Sequence, residues 1–358
     1  MPLKWDKVLI ADERYESAGV FDVNGNGVLD IVSGAYWYEG PDFKKQHPVG
    51  AVSAHGEYFD DFSTIPLDVN GNGRPDFVTG GWWGNTVRWR ENPGDPDKEW
   101  PEHVIAECGN VETTRAWDID GDGIVEVVPN TPGKPLVVYK LKVDDAGKGT
   151  GEFETHTLRA ENQGHGLGYG DINGDGRGDF VLREGWLEAP ENIYEDEWTW
   201  HPDFDLGSSS VPILVADVNR DGLNDLVVGQ AHGYGLDWWE QRVEDGKRSW
   251  VKHPIDPYCS QYHDMFWVDI DGDGECELVT GKRYRAHCGN DPGSADDVGI
   301  YYFKWNGDSF SKQVIDYGPA RVGTGCGIFF QVADLDGNGR LDIVAPGKDG
   351  LYVFHNLG

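Results

Sequence analysis

Short apolar segments and aspartate-rich turns alternate along this chain in a fixed order. Before each turn sits a stretch such as Gly19-Val20-Phe21 or Met265-Phe266-Trp267-Val268. After it comes a run such as Asp30-Ile31-Val32-Ser33 or Asp225-Leu226-Val227-Val228. β-Branched and aromatic residues in runs this short predict strands rather than helices. A further signature, Trp100-Pro101-Glu102-His103-Val104-Ile105 or Trp250-Val251-Lys252-His253-Pro254-Ile255, reads as an outer strand.

The turns share one nonapeptide, Asp-x-[Asp/Asn]-x-[Asp/Asn]-Gly-x-x-[Asp/Glu], which occurs seven times. The copies begin at Asp22, Asp68, Asp118, Asp171, Asp217, Asp269 and Asp334, spaced by 46 to 65 residues. Each interval holds about four short strands. The pattern predicts an all-β chain: a seven-bladed β-propeller with four-stranded blades, one domain over residues 1–358. Trp5-Asp6-Lys7-Val8-Leu9-Ile10 has the outer-strand signature yet precedes the first turn, and the seventh blade ends without one. The N-terminal strand is therefore expected to join the last blade and close the ring, which removes open sheet edges.

The turns have the composition of calcium sites. Calcium takes six to eight oxygen ligands in tolerant geometry, and positions 1, 3, 5 and 9 of each turn supply carboxylates or amides. The expected ligands are Asp22, Asn24, Asn26 and Asp30; Asp68, Asn70, Asn72 and Asp76; Asp118, Asp120, Asp122 and Glu126; Asp171, Asn173, Asp175 and Asp179; Asp217, Asn219, Asp221 and Asp225; Asp269, Asp271, Asp273 and Glu277; Asp334, Asp336, Asn338 and Asp342. Gly at position 6 permits a tight backbone turn. Position 12 carries no Glu, which excludes EF-hands. The repeat resembles the FG-GAP/VCBS calcium-loop blades, and up to seven structural Ca²⁺ ions are expected. The loops at Asp118 and Asp269, with four carboxylates each, are expected to bind tightest. Arg177-Gly178-Asp179 spells an integrin-binding tripeptide but occupies positions 7 to 9 of a loop, so it is read as structural.

Composition narrows the partners. Net charge is −33 and pI is near 4.5, against the basic patches that nucleic acid requires. The loops hold 21 of the 63 acidic residues, so seven dications would bring the charge to −19. No apolar run approaches the ~20 residues of a membrane span. The N-terminal Met1-Pro2-Leu3-Lys4-Trp5 has no leader-like apolar stretch. The compartment is open between secreted, with a leader trimmed, and cytoplasmic, and a monomer is expected. Five cysteines without CxxC spacing argue against a cysteine zinc site.

Where the loops repeat, the opposite ends of the strands do not. Six residues before each loop stand Glu16, Phe62, Glu112, His165, Val211, His263 and Ile328. Two His and two Glu at equivalent positions suit a transition metal in the central channel or acid–base work. Residues leaving the second strands add Trp82, Asn130, Arg183, His232, Lys282, Arg283, His287 and Lys348, with Arg115 and Tyr234 nearby. Such cations either neutralise neighbouring carboxylates or form an anion pocket. A multivalent lectin would repeat these residues in every blade; their irregularity points to one asymmetric site.

Gly164-His165-Gly166-Leu167-Gly168-Tyr169-Gly170-Asp171, Gly185-Trp186-Leu187-Glu188-Ala189-Pro190, Gly229-Gln230-Ala231-His232-Gly233-Tyr234-Gly235 and Val279-Thr280-Gly281-Lys282-Arg283-Tyr284-Arg285-Ala286-His287 resemble propellers of the rhamnosyl-glucuronate lyase and aldos-2-ulose dehydratase type. The resemblance implies β-elimination on a uronate-containing oligosaccharide, polysaccharide or keto-sugar. It implies Arg115 and Arg283 as carboxylate grips, His165 or His263 as base, and Tyr234 or His232 as proton donor. Glu16, Trp82, Glu112, Asn130, Arg183, Lys282, His287 and Lys348 are the candidate substrate-binding residues. Two alternatives stand beside this: a glycoside hydrolase using carboxylates such as Glu16 and Glu112, and a non-catalytic, calcium-dependent sugar-binding or adhesion propeller.

Overall fold

The computed structural model describes residues 3–358. Met1 and Pro2, part of the N-terminal stretch read for a leader, lie outside them. The fold is an all-β propeller of seven blades, each an antiparallel sheet of four strands. The blades begin with the strands Gly19–Phe21, Ile65–Leu67, Thr113–Trp117, Leu167–Gly170, Leu214–Ala216, Tyr262–Val268 and Gln331–Ala333. Trp5–Ala11 is the outer strand of the last blade, with Trp5 opposite Asn356 and Val8 opposite Val353, as its signature predicts. No helix among the described residues is long and apolar enough to cross a membrane.

Two compact units divide the chain: residues 162–326, and residues 3–161 with 327–358. Second strands are buried throughout, as in Asp30–Ser33 and Asp225–Gly229, which explains their continuous apolar runs. Outer strands alternate with solvent, as in Lys247–Pro254. Within the 162–326 unit, Val227, Leu236, Trp238, Tyr262 and Leu278 belong to one buried cluster. In the other unit Ile31, Tyr38, Val344 and Val353 do the same. Close packing of blades in the 162–326 unit demands glycine: a Cβ on Gly168 would lie 2.3 Å from the Ile213 carbonyl oxygen.

Each loop joins the first strand of its blade to the second. The position-1 carboxylate accepts loop backbone N–H groups, as Asp22 does from Gly25, Asn26 and Gly27. The position-6 glycines all have φ between +83° and +91°, from Gly73 to Gly274, where a side chain would be strained. Position 9 is buried in every blade. Asp179 accepts the Ile172 and Ala189 N–H groups, so the aspartate of the Arg177-Gly178-Asp179 tripeptide is buried and committed to its own loop.

Register places one residue of the third strand opposite position 9. Ile31 pairs with Tyr38, Phe77 with Arg90, Val127 with Tyr139, Phe180 with Leu187, Leu226 with Trp239, Leu278 with Phe303 and Ile343 with Phe354. One step on, the facing residues are Glu39, Glu91, Lys140, Glu188, Glu240, Lys304 and His355. Behind each glutamate stands a histidine of the fourth strand: Glu39–His47 at 3.2 Å, Glu91–His103 at 3.0 Å, Glu188–His201 at 2.8 Å and Glu240–His253 at 2.8 Å. Each of these rings stacks on the tryptophan two residues before the glutamate, Trp37, Trp89, Trp186 or Trp238, with centroids 4.0–4.5 Å apart. Four of the eleven histidines are thereby structural.

Candidate functional site

The irregular residues gather in the 162–326 unit around three histidines. His165 precedes the strand Leu167–Gly170, His263 lies at the start of Tyr262–Val268, and His232 follows Asp225–Gly229. All three stand at the end of their blades away from the aspartate loops. His165 and His232 are part-buried and His263 is fully buried. One ring nitrogen from each lies within 4.8 Å of the others.

Hydrogen bonds settle which nitrogens face inward. His165 Nδ1 lies 2.7 Å from the Ser209 carbonyl oxygen, an acceptor only, so this nitrogen carries the hydrogen. His232 Nδ1 lies 2.9 Å from Asp291 Oδ2 and donates likewise. In the neutral rings each Nε2 then presents a lone pair, and these two atoms face each other at 3.0 Å. Two lone pairs at that distance repel unless a proton or a metal ion lies between them. Nitrogens sharing a tetrahedral zinc-like ion sit about 3.3 Å apart. Carbonyl or carboxylate partners on the outer nitrogen are the usual support of metal-bound imidazoles. The three histidines therefore fit a transition metal of the zinc type.

Asp291 serves a second ring. Its Oδ1 accepts from His287 Nδ1 at 2.8 Å, and the His287 and His232 rings stack with centroids 4.1 Å apart. His287 is more than half exposed, and with Nδ1 donating to Asp291 its Nε2 carries the lone pair of the neutral ring. The segment is held in a costly conformation: Arg285, His287 and Cys288 all have φ near +50°. Non-glycine residues in this region cost about 1–3 kcal/mol each and concentrate at functional sites.

Several other candidates are committed elsewhere. The Lys282 ammonium is fully buried and donates to Ser260 Oγ at 2.6 Å, Gln261 Oε1 at 2.8 Å and the Gly293 carbonyl at 2.7 Å, which uses all three hydrogens. It pins the 284–297 loop. Arg183 lies 3.4 Å from both Glu184 and Asp205. Arg283 is buried, and its backbone N–H donates to the Gln261 carbonyl. The Tyr234 hydroxyl donates to Asp296 at 2.6 Å, which raises its pKa and keeps the phenol protonated.

Asp296 leads into a cavity of about 570 Å³ that Tyr258, Tyr301, Tyr317, Lys282 and Lys312 also line. Tyr258 is 87% exposed there. Lys312 Nζ lies 3.6 Å from the Tyr301 ring centroid and 2.6 Å from Asp256. Rings of this kind beside charged hydrogen-bonding groups suit a sugar.

The remaining candidates belong to the other unit. Glu16 and Lys348 pair with each other, Oε2 to Nζ at 2.8 Å, both buried, which is the neutralising role open to such cations. The Arg115 guanidinium stacks 4.7 Å over Phe329. Trp82 offers its carbonyl to Asn110, and the Glu112 N–H donates to the Asn130 carbonyl. Sequence reasoning missed Asp291, Ser209 and Asp296. Only the His287-x-x-x-Asp291 spacing carries any signal of them.

A family model described as an FG-GAP-like repeat matches residues 68–128, which hold the second and third loops. No curated protein matches the chain. Among solved structures, the chain is similar to BBS1N, crystallised in complex with ARL6DN, at 12% identity and TM-score 0.52, with 100% of this chain and 97% of that one covered. It is also similar to the biofilm matrix protein Bap1 of V. cholerae, at 15% identity and TM-score 0.36, covering 90% of this chain and 45% of that one. At 12% identity the likeness to BBS1N is one of fold alone.

Proposed function

We propose that this chain is a carbohydrate lyase that cleaves a uronate-containing glycan by β-elimination beside His165, His232 and His263. The observation that carries the reading is the pair of imidazole nitrogens facing each other at 3.0 Å, each ring anchored from behind. The set occurs in three blades only and is not part of the repeat. A metal ion held by these three rings would polarise the substrate carboxylate and stabilise the enolate-like charge. The aspartate loops are proposed to hold structural calcium.

The chain's own groups account for the proton transfers. With His165 and His263 assigned to the metal set, the role of base passes from them to His287, whose tautomer Asp291 fixes so that Nε2 can take the proton beside the carboxylate. As that C–H bond breaks, its electron pair forms the C=C bond and the C–O bond to the leaving sugar breaks. Tyr234, kept protonated by Asp296, supplies the proton to the leaving oxygen. The tyrosine-lined cavity gives neighbouring sugar units a surface to rest on.

The test is incubation with uronate-containing glycans while following the ultraviolet absorbance of unsaturated uronate. Wild-type protein is expected to generate it. Asp291→Asn is expected to lower turnover or metal affinity about 10- to 100-fold, and His287→Ala by roughly 100-fold. Absence of absorbance on every acidic glycan, or full turnover in both variants, overturns the proposal. Reducing ends without absorbance would mark a hydrolase. Sugar binding without products would mark a binding propeller, the reading that the tyrosine cavity favours.

A further inference from the structure

In two of the seven blades a lysine faces the aspartate loop where four others present a glutamate. Loop position 3 changes with it. Where the facing residue is Glu, position 3 is Asn; where it is Lys or His, position 3 is Asp, without exception in seven blades. The exchange preserves a bonded pair at one spot: Asn70 donates to Glu91 at 3.0 Å and Asn173 to Glu188 at 3.2 Å, whereas Lys140 donates to Asp120 and Lys304 to Asp271. The pairing also levels charge. Loop carboxylates alone number two to four, but loop and facing residue together carry three or four negative charges in every blade, with His neutral.

We propose that Lys140 and Lys304 are resident cations that take the place of calcium in the third and sixth loops. The inference rests on the calcium reading for the other five. Lys140 Nζ donates to Asp122 as well as Asp120 and lies 3.5 Å from Glu126 Oε1. Lys304 Nζ lies 2.8 Å from Asp273 and 3.2 Å from Glu277. These carboxylates are positions 3, 5 and 9, the oxygens a calcium ion needs. An ammonium carries three donors, and here each faces a carboxylate. A dication entering the loop meets a fixed positive charge and carboxylates already engaged. Carboxylate count alone ranks these two loops first for calcium; the lysines reverse that order. In the seventh loop His355, 3.4 Å from Asp342, offers an imidazole rather than an ammonium, and the loop keeps its ion.

The test is metal analysis of full-length protein equilibrated with calcium. Wild type is expected to hold five ions, Lys140→Gln six, and Lys140→Gln with Lys304→Gln seven. Asp120→Asn with Lys140→Glu rebuilds the second blade's arrangement in the third, keeps the bonded pair should the Gln variants unfold, and is expected to hold six. Seven ions in wild type, or no added ion in any variant, overturns the proposal. A wild type without calcium whose variants each gain an ion would remove the calcium reading of the other loops and leave the lysine assignment standing. Five ions in wild type and in every variant would do the reverse.

Discussion

Stripping divalent ions with a chelator is expected to lower the melting temperature of this protein by roughly 10 °C or more. A site filled at a hundredfold excess over its dissociation constant contributes about 2.7 kcal/mol. With Lys140 and Lys304 filling two loops, five ions add roughly 13 kcal/mol at that excess. One kcal/mol moves the melting point of a chain somewhat smaller than this by about 2–4 °C. The loops explain why the loss falls on folding itself. Position 9 is buried in each blade, and burial pushes Asp76, Asp179 and Asp225 up to about 6. At neutral pH these groups are ionised and carry buried negative charge that their backbone donors only partly offset. A dication offsets the rest. Calorimetry with and without chelator reads the effect, and an unchanged melting point would remove calcium from the account of stability.

The loops were legible because their chemistry is local: Asx side chains turn back onto the next few N–H groups, and only glycine accepts the φ of position 6. The closing strand was legible for the same reason, since Trp5–Ala11 repeats an outer-strand pattern out of its place. His165 and His263 emerged from register with the loops. What escaped the sequence depends on pairing between distant segments. Asp291 reaches His232 across 59 positions, through a loop whose path is set by left-handed residues. The match between loop position 3 and the facing Glu or Lys requires the register of second and third strands, whose separation varies with each connecting loop. The Lys282 and Lys348 side chains read as substrate cations, yet Lys282 is buried among three acceptors and Lys348 is buried against Glu16, which makes both internal struts.

Glu13→Gln is expected to stabilise the protein at pH 8 by about 2–3 kcal/mol and to change little near pH 4.5. Glu13 is a half-buried residue whose Oε1 has no exposed surface, and burial pushes its carboxyl up to about 7 from an ordinary 4.5. The Tyr38 hydroxyl donates to Oε2 at 2.6 Å and only partly opposes that shift. Tyr15 and buried Asp61 interact with the same region, and Asp61 is raised well above its ordinary value, again by burial. The sign follows from linkage. Between pH 4.5 and 7 the folded state binds the proton that the unfolded chain releases, so wild-type stability falls as pH rises through this window and levels off above it. Glutamine accepts the Tyr38 hydrogen bond and never ionises, so the variant lacks Glu13's share of that fall. Asp61 still titrates in the variant, with the repulsion from Glu13 removed. Urea unfolding of wild type and variant at pH 5 and pH 8 separates the two contributions. Equal stability differences at both pH values would show that Glu13 does not titrate in this range.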